Sequence, residues 1–290
     1  MMNNYIVSKN SNAITSTNDL PIRYDLYVPT PVTSALPVII FLHGFKGFKD
    51  WGPFPDACIE LAEHGYAVLA MNFSMNGIGD NPTEFDRLDL FAKNTLTQEL
   101  EDIKVVLQAL KNGTISSDKA GLDTSKIGIV GHSRGGLSAI VAAANYDEIS
   151  CLVTWAAVAD YSHFWTDEMV NDWINKSYTE ILNSRTGQKM RLDKVLYDDA
   201  VEHADELKAI NRVKELYIPV CFIHGKEDEA VSYKNVNLLY ENCPSSEKKR
   251  IIIPRTGHTF NGAHPFEDEE LPAPFAEVLE HTINWFDSNL

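Results

Sequence analysis

Short apolar runs alternate along the chain with longer segments in which apolar residues recur every three or four positions. Runs of the first kind are typical of buried strands, and the longer period is typical of helices that pack one face on a sheet. Because strand and helix follow each other repeatedly, the pattern predicts an α/β fold with a mostly parallel central sheet flanked by helices.

The predicted elements begin with an antiparallel hairpin near the N-terminus, and the later runs predict buried strands with helices between them. Gly65 and the pair Asn112-Gly113 are expected to end the first two helices. The predicted strands lie within residues 5–7, 22–28, 38–42, 66–73, 126–131, 151–159, 217–225 and 248–258, and the predicted helices at residues 54–64, 94–110, 135–144 and 275–286.

Residues 160–215 interrupt this alternation. The segment lacks a buried-strand pattern and contains stretches of helical period, so it predicts a helical cap inserted into a core of residues 1–159 and 216–290. Three rings, Tyr161, Phe164 and Trp165, stand near its start. Such rings either seal a cap onto the core or contact a substrate, and these three are the candidate substrate-binding residues.

Length and charge narrow the class of protein. A chain of 290 residues that is 44% hydrophobic can bury a large core within one domain. Its 25 basic and 41 acidic residues give a formal charge of −16, which repels nucleic acid and anionic membrane surfaces. The expected partner is therefore a small molecule, and the composition carries no signal for an oligomeric state.

Cysteine usage and the N-terminal residues indicate a reducing compartment. The four cysteines lie far apart without C-x-x-C spacing, which favours reduced thiols in or near the core. The first residues show neither the basic start nor the apolar stretch of a signal peptide, and no segment approaches the roughly 18 apolar residues that span a bilayer. These features predict a cytoplasmic protein.

A single serine stands among glycines where a predicted strand ends and a small-residue helix begins. The stretch Gly131, His132, Ser133, Arg134, Gly135 has the pattern G-x-S-x-G. In a nucleophile elbow of this kind the backbone at the serine is strained, and only small neighbours permit the turn. Because the turn lifts the hydroxyl clear of the sheet edge, the serine is the candidate nucleophile.

A serine nucleophile needs a histidine to accept its proton and a carboxylate to orient that histidine. After a nucleophile elbow these two residues follow in the order acid, then histidine. Asp228 lies in the loop after the predicted strand at 217–225, and His258 lies in a glycine-containing loop after the next strand. The predicted catalytic triad is Ser133, Asp228 and His258.

Neighbouring residues offer alternatives for these roles. Glu227 and Glu229 flank the predicted acid, and His264 follows the predicted base by a few positions. The pattern H-G-x-x-D, which begins at His224, favours Asp228 as the acid. The proline after His264 disfavours His264 as the base. We interpret His132 and His224 as packing residues.

Acyl transfer also needs donors for the negative charge that develops on the carbonyl oxygen. The elbow places the backbone amide of Arg134 at the start of a helix, where such a charge is stabilised. The strand at residues 38–42 ends in His43-Gly44, after which the amide of Phe45 is expected to point inward. These two amides form the predicted oxyanion hole. The Arg134 side chain could bind an acidic substrate group or pair with a carboxylate of the cap.

Four motifs together resemble the α/β-hydrolase superfamily: HGF at residues 43–45, GHSRGG at 131–136, HGKEDEAV at 224–231 and GHTF at 257–260. The sequence is most similar to the branch that contains dienelactone hydrolase-like proteins, serine aminopeptidase-like lipases and bacterial cinnamoyl or feruloyl esterases. Ser133 departs from the cysteine of dienelactone hydrolases proper and from the aspartate of dehalogenases and epoxide hydrolases. The resemblance implies a serine hydrolase that forms an acyl-enzyme and uses neither a metal ion nor an organic cofactor.

Several functions are compatible with these residues. The first interpretation is a carboxylesterase, of class EC 3.1.1, for small to medium esters that include aromatic acyl groups. An amidase or aminopeptidase-like hydrolase would use the same triad, and an acidic cap could recruit a substrate amine. A non-catalytic binder would be expected to lack a triad member, and the cap lacks the long apolar helix expected of a membrane-acting lipase.

Overall fold

The fold is built on an eight-stranded sheet with the strand order β1-β2-β4-β3-β5-β6-β9-β10. The structure is a computed structural model and describes residues 5–290. The strands are β1 (Ile6–Thr15), β2 (Pro21–Thr30), β3 (Leu36–Leu42), β4 (Ala67–Met71), β5 (Leu122–His132), β6 (Ile149–Trp155), β7 (Tyr178–Leu182), β8 (Lys189–Asp193), β9 (Val220–Gly225) and β10 (Lys248–Ile253).

Helices connect most of the parallel strands. The helices are α1 (Phe54–Glu63), α2 (Leu88–Phe91), α3 (Leu96–Lys111), α4 (Arg134–Asn145), α5 (Asp167–Lys176), α6 (Lys194–Glu202), α7 (Ala204–Leu207), α8 (Ala209–Arg212), α9 (Lys234–Asn242) and α10 (Ala273–Asn289), with short 3₁₀ helices at Tyr161–Phe164 and Val213–Glu215. The predicted ends of the first two long helices are present, since Gly65 and Gly113 both have positive φ, at 96° and 78°.

In the order of the sheet, the strands from β4 to β10 run parallel to one another, whereas β2 runs antiparallel to both of its neighbours, β1 and β4. Strand β3 lies near the centre, and residues 38–42 are completely buried. Apolar side chains on both faces are typical of a parallel strand covered by helices on each side. The predicted fold class, a mostly parallel sheet flanked by helices, is therefore confirmed.

The first strand is longer than predicted, and one helix was not predicted. The opening strand was predicted at residues 5–7, whereas β1 covers ten residues, Ile6–Thr15, at the edge of the sheet. Most of its side chains are exposed or half-buried, so the strand leaves no apolar periodicity in the sequence. Helix α9, between β9 and β10, has no predicted counterpart. Its buried residues are Val236 and Leu239, too few to give a helical pattern in the sequence.

The insertion between β6 and β9 is less helical than predicted. Besides α5 to α8 it contains a two-stranded antiparallel sheet formed by β7 and β8. Thr179 in β7 and Met190 and Leu192 in β8 are buried, whereas their neighbours point outward. The alternation is genuine but only five residues long in each strand, and charged residues interrupt it, which explains why the sequence pattern favoured helices.

All four cysteines are free and buried. Within residues 5–290, no helix is both long enough and apolar enough to cross a membrane.

Candidate active site

Ser133 occupies the sharp turn between strand β5 and helix α4. Its backbone has φ 58° and ψ −119°, a conformation that residues with a Cβ atom rarely adopt. The turn is held from both sides: the Ser133 amide donates to the carbonyl of Trp155 in β6 at 2.8 Å, and the Ser133 carbonyl accepts from Gly136 at 3.0 Å. The strained elbow predicted from the G-x-S-x-G pattern is present.

The glycines around the serine are required by close backbone approach. A Cβ atom on Gly131 would lie 2.2 Å from the carbonyl oxygen of Gly135, and one on Gly135 would lie 2.4 Å from that of His43. Real Cβ atoms do not approach backbone atoms this closely, so both positions exclude side chains. The second contact also brings the loop after β3 against the start of helix α4.

His258 and Asp228 form a hydrogen-bonded pair at the carboxyl ends of β9 and β10. The Nδ1 atom of His258 donates to the Oδ2 atom of Asp228 at 2.8 Å. The other carboxylate oxygen of Asp228 accepts from the backbone amides of Ala230 at 2.9 Å and Val231 at 2.8 Å. The carboxylate is thus fixed by the backbone of its own loop and orients the imidazole.

A second histidine contacts the same carboxylate. His224 is fully buried, its Nε2 atom donates to the carbonyl of Val231 at 2.8 Å, and the same atom lies 3.1 Å from the Oδ2 atom of Asp228. Burial alone would raise the pKa of Asp228, but hydrogen bonds from His224 and His258 outweigh this effect and hold the pKa well below its usual range. Asp228 is therefore ionised at neutral pH.

Ser133 and His258 meet at two cavities, since both side chains line each of them. Among residues 5–290, no side chain or backbone group forms a hydrogen bond with the Ser133 hydroxyl. The Nδ1 atom of His258 is turned to Asp228, and the Nε2 atom has no hydrogen-bond partner among the described residues. Hydrogen bonds in unliganded sites often form only once substrate is bound, so this arrangement is compatible with a Ser-His pair.

The alternative residues weighed for the triad have other environments. Glu227 and Glu229 are exposed, whereas Asp228 between them is buried. The Nδ1 atom of His264 accepts from the backbone amide of Gly52 at 3.0 Å, and its ring packs on Phe48 and Trp51.

The loop after β3 presents a free amide beside the serine. Phe45 donates no backbone hydrogen bond to the residues the structure describes. A Cβ atom on the preceding Gly44 would lie 2.8 Å from the Cβ of Ser133, so the loop and the elbow are in close contact. Arg134 is the first residue of α4, where backbone amides have no partner within the helix. The two predicted oxyanion donors thus flank Ser133.

Two buried histidines support these loops. The Nδ1 atom of His43 donates to the Gly44 carbonyl at 2.9 Å, and the Nε2 atom of His132 donates to the His258 carbonyl at 2.9 Å. Burial lowers the pKa of His43 to about 4 and that of His132 to about 3. Both rings are consequently neutral at pH 7 and can keep one nitrogen as a donor and the other as an acceptor.

The Arg134 side chain is buried and pairs with Glu99 of helix α3. The carboxylate of Glu99 also accepts from Asn94 at 2.9 Å and from Ser138 at 3.1 Å, and the guanidinium lies 4.7 Å from the ring centre of Phe45. Of the two alternatives for the Arg134 side chain, pairing with a cap carboxylate is therefore wrong. The carboxylate partner belongs to the core, and from the cap the Tyr161 hydroxyl accepts from the guanidinium at 3.4 Å.

An apolar cavity of about 380 Å³ lies between Ser133 and the insertion. Tyr161, Phe164 and Trp165 all line it, as the sequence analysis proposed for substrate-binding residues. Met169, Ile181, Leu192 and Leu196 extend the same wall. Trp165 also packs edge-on against the buried Trp173. The Trp165 ring therefore lines the cavity and contributes to the packing inside the insertion.

A second, more polar cavity of about 230 Å³ opens on another side of Ser133. Its wall combines the loop after β3 with the β7–β8 turn, and it includes Lys46, Trp51, Asn183 and Arg185. The sequence carries little signal for this cavity. Lys46 directly follows the predicted oxyanion residue, but Arg185 reaches the site only because the insertion forms a hairpin.

The sequence of this chain matches a known protein family. The sequence profile of the prolyl oligopeptidase family matches residues 57–271, which include the elbow, the acid loop and the histidine loop. The chain belongs to the prolyl oligopeptidase family. It is therefore a hydrolase of the α/β-hydrolase type, and the assignment to the serine-esterase-like branch of that superfamily is confirmed.

Relatives of this prolyl oligopeptidase family member include a protein whose name describes it as an esterase. It is 26% identical over 259 residues to the Bacillus subtilis protein named "Putative esterase YitV", covering 88% of this chain and 90% of the relative. It is 29% identical over 144 residues to chlorophyllase type 0 of Chenopodium album, covering 47% of this chain and 39% of that protein. Est1E of Butyrivibrio proteoclasticus, solved with ferulic acid bound, has a TM-score of 0.69 at 22% identity, with 95% of this chain and 99% of that chain covered. The structural similarity shows a shared fold.

Proposed function

We propose that this protein is a carboxylesterase that hydrolyses esters of small to medium acyl groups, aromatic ones included, through an acyl-enzyme on Ser133. The observation that carries the proposal is the convergence at one cavity of the strained Ser133, the His258 ring held by Asp228 at 2.8 Å, and the unpaired amide of Phe45. These are the groups that acyl transfer to a serine requires.

In the proposed reaction, the Ser133 hydroxyl attacks the ester carbonyl while the Nε2 atom of His258 takes its proton. Asp228 stabilises the imidazolium that results, and the amides of Phe45 and Arg134 bind the oxyanion. The imidazolium then protonates the departing alcohol. Water, deprotonated by His258, attacks the acyl-enzyme and releases the acid and the free serine.

The apolar cavity supports an aromatic acyl group. Its wall carries the rings of Phe45, Tyr161, Phe164 and Trp165, and a volume of about 380 Å³ accommodates a phenyl ring with a short side chain. Aromatic rings prefer tilted or offset contacts with one another, and the rings of Tyr161 and Trp165 already pack edge to face at 6.3 Å.

A peptidase or amidase is the second candidate, favoured by the match to a family named for oligopeptidases. An aminopeptidase would need an acidic group to bind the substrate amine. Within the described residues, neither cavity is lined by an aspartate or glutamate, and the charged side chains on their walls are Lys46, Arg134 and Arg185. This electrostatic environment favours esters over substrates with a free amine.

Labelling and a substrate panel test the proposal together. A fluorophosphonate probe is expected to label the native protein and Ser184→Ala, a matched control because Ser184 also lines the polar cavity, but not Ser133→Ala. p-Nitrophenyl esters run beside aminoacyl anilides should show turnover of the esters alone. A folded native protein that is not labelled would support a binding function instead, and preferential cleavage of the anilides would support an amidase.

A further inference from the structure

The polar cavity beside Ser133 carries two cations without acidic partners. Lys46 follows the oxyanion residue Phe45, and Arg185 stands at the rim in the β7–β8 turn. Among residues 5–290, neither side chain forms an ion pair with an aspartate or glutamate. Burial and the nearby charge of Arg185 together lower the pKa of Lys46. Two like charges therefore face one cavity with no protein counterion.

This arrangement is unusual for so acidic a chain. The protein carries 41 acidic residues against 25 basic ones, so a carboxylate near a surface cation is the ordinary outcome. On the same hairpin, Arg191 pairs with Asp193 at 2.5 Å. Like charges brought together without a counterion are destabilising unless a ligand neutralises them.

Arg185 is held in position by neutral contacts. Its Nη2 atom donates to the carbonyl of Lys46 at 2.5 Å, and its guanidinium lies 5.6 Å from the ring centre of Trp51. These contacts use one donor of the guanidinium fork and leave the others available to a ligand. Asn183, which also lines the cavity, has a buried Nδ2 atom without a partner among the described residues. The wall of the polar cavity therefore offers more hydrogen-bond donors than acceptors.

From this cavity we infer that the preferred substrate is an ester whose alcohol portion carries an anionic group, a carboxylate or a phosphate, bound by Lys46 and Arg185. The inference rests on the proposed esterase function and adds the chemical class of the leaving group. The acyl group occupies the apolar cavity, and the alcohol extends into the polar one. Arginine and lysine bind both kinds of anion, arginine through paired hydrogen bonds.

Three aryl esters of the same acid test the inference by activity. The 4-carboxyphenyl and 4-phosphonooxyphenyl esters carry the anion, and the 4-carbamoylphenyl ester is a neutral analogue of nearly the same shape. The native enzyme should show a kcat/KM at least about tenfold higher for one of the anionic esters, as expected for a charge-assisted hydrogen bond. The ratio between the two anionic esters distinguishes a carboxylate from a phosphate as the natural group.

Arg185→Gln and Lys46→Gln should each lower kcat/KM about tenfold more for the anionic ester than for the neutral one. Arg191→Gln is the matched control, because Arg191 lies on the same hairpin but not in the cavity wall. It should leave the preference intact. Equal kinetics for anionic and neutral esters, or equal losses on both in the Arg185 variant, would overturn the inference while the esterase function stands.

A binding measurement separates this inference from the esterase proposal. Calorimetry on Ser133→Ala compares 4-hydroxybenzoate with 4-hydroxybenzamide, which differ in charge and not in shape. The benzoate should bind at least about tenfold more tightly, and Arg185→Gln in the same background should abolish the difference. Equal affinities would exclude the anion site even in a protein that cleaves no ester.

Discussion

Asp228 is the residue on which the candidate site depends most. One of its carboxylate oxygens lies within hydrogen-bonding distance of two histidines, and the other accepts two backbone amides. All four contacts favour the ionised form, which explains why the pKa of this buried group lies below its usual range and not above it. A neutral replacement would keep the shape and lose the charge.

Asp228→Asn is therefore expected to lower kcat for ester hydrolysis by about three to four orders of magnitude, because the amide neither stabilises the imidazolium nor holds His258 in the right tautomer. Steady-state kinetics on a p-nitrophenyl ester measures the loss. Glu229→Gln is the control, an exposed neighbour that should retain native activity. Similar losses of activity in both variants would contradict the assignment of Asp228 as the acid of the triad.

Ser133, Asp228 and His258 follow β5, β9 and β10. Because loop residues after parallel strands meet at one edge of the sheet, the sequence was enough to predict that these three residues lie close together. In the structure Ser133 and His258 line the same cavity and His258 donates to Asp228, whereas their catalytic roles stay a prediction. The partners of Arg134 were harder to predict. Glu99 has the position of an ordinary polar residue on an amphipathic helix, and only the packing of α3 on α4 shows that it is buried.

At the scale of elements, the turn between β5 and α4 stores backbone strain. Ser133 has φ 58° and ψ −119°, which glycine adopts freely and alanine does not. Replacing the serine thus has two separable consequences, one for the reaction and one for the fold.

Ser133→Gly and Ser133→Ala should both lack activity, but the glycine variant should be the more stable of the two by about 1 kcal/mol in its free energy of unfolding. Urea titration followed by circular dichroism measures the difference. The strain is relieved only by removing Cβ, so a glycine variant equal to or less stable than the alanine variant would show that the elbow is not strained in solution.

Helices α3 and α4 are joined beneath the elbow by the buried pair of Glu99 and Arg134. Glu99→Leu leaves the guanidinium buried without its counterion, and it should reduce the free energy of unfolding by about 3–5 kcal/mol. The double variant Glu99→Leu, Arg134→Met should recover a large part of that loss. Chemical denaturation of the native protein, of Glu99→Leu, of Arg134→Met and of the double variant gives the coupling free energy of the pair, and additive effects would contradict a direct pair.

The insertion marks the limit of prediction at this scale. Tyr161, Phe164 and Trp165, the candidate substrate-binding residues, line the apolar cavity, but β7 and β8 were not predicted. Each strand is only five residues long, and half of each faces solvent. Because the hairpin was not predicted, the position of Arg185 in the polar cavity could not be derived from the sequence.

At the scale of the whole molecule, buried neutral histidines make stability depend on pH. Burial lowers the pKa of His43 to about 4 and that of His132 to about 3 in the folded protein, against about 6.5 for a free histidine. Above about pH 6.5 both states leave these rings neutral. Below it the unfolded chain takes up protons that the folded chain resists, so stability falls as the pH is lowered toward the folded-state values.

Between pH 7 and pH 5 each of these two histidines should cost the protein about 2 kcal/mol of stability. His132→Gln keeps a donor for the His258 carbonyl and removes one titrating group, so it should lose about 2 kcal/mol less than the native protein over the same interval. Urea titrations at the two pH values measure both slopes. Parallel slopes would mean that His132 titrates equally in the folded and unfolded chains.

The division between core and insertion separates chemistry from recognition. Every group that would make or break a bond belongs to loops of the central sheet, whereas Tyr161, Phe164 and Trp165 in the apolar cavity and Arg185 at the rim of the polar one come from residues 160–215. A single contiguous stretch of chain thus touches both halves of a bound ester. Transplanting that stretch onto a related sheet should carry the choice of substrate with it, and leave the machinery that cleaves the bond where it was.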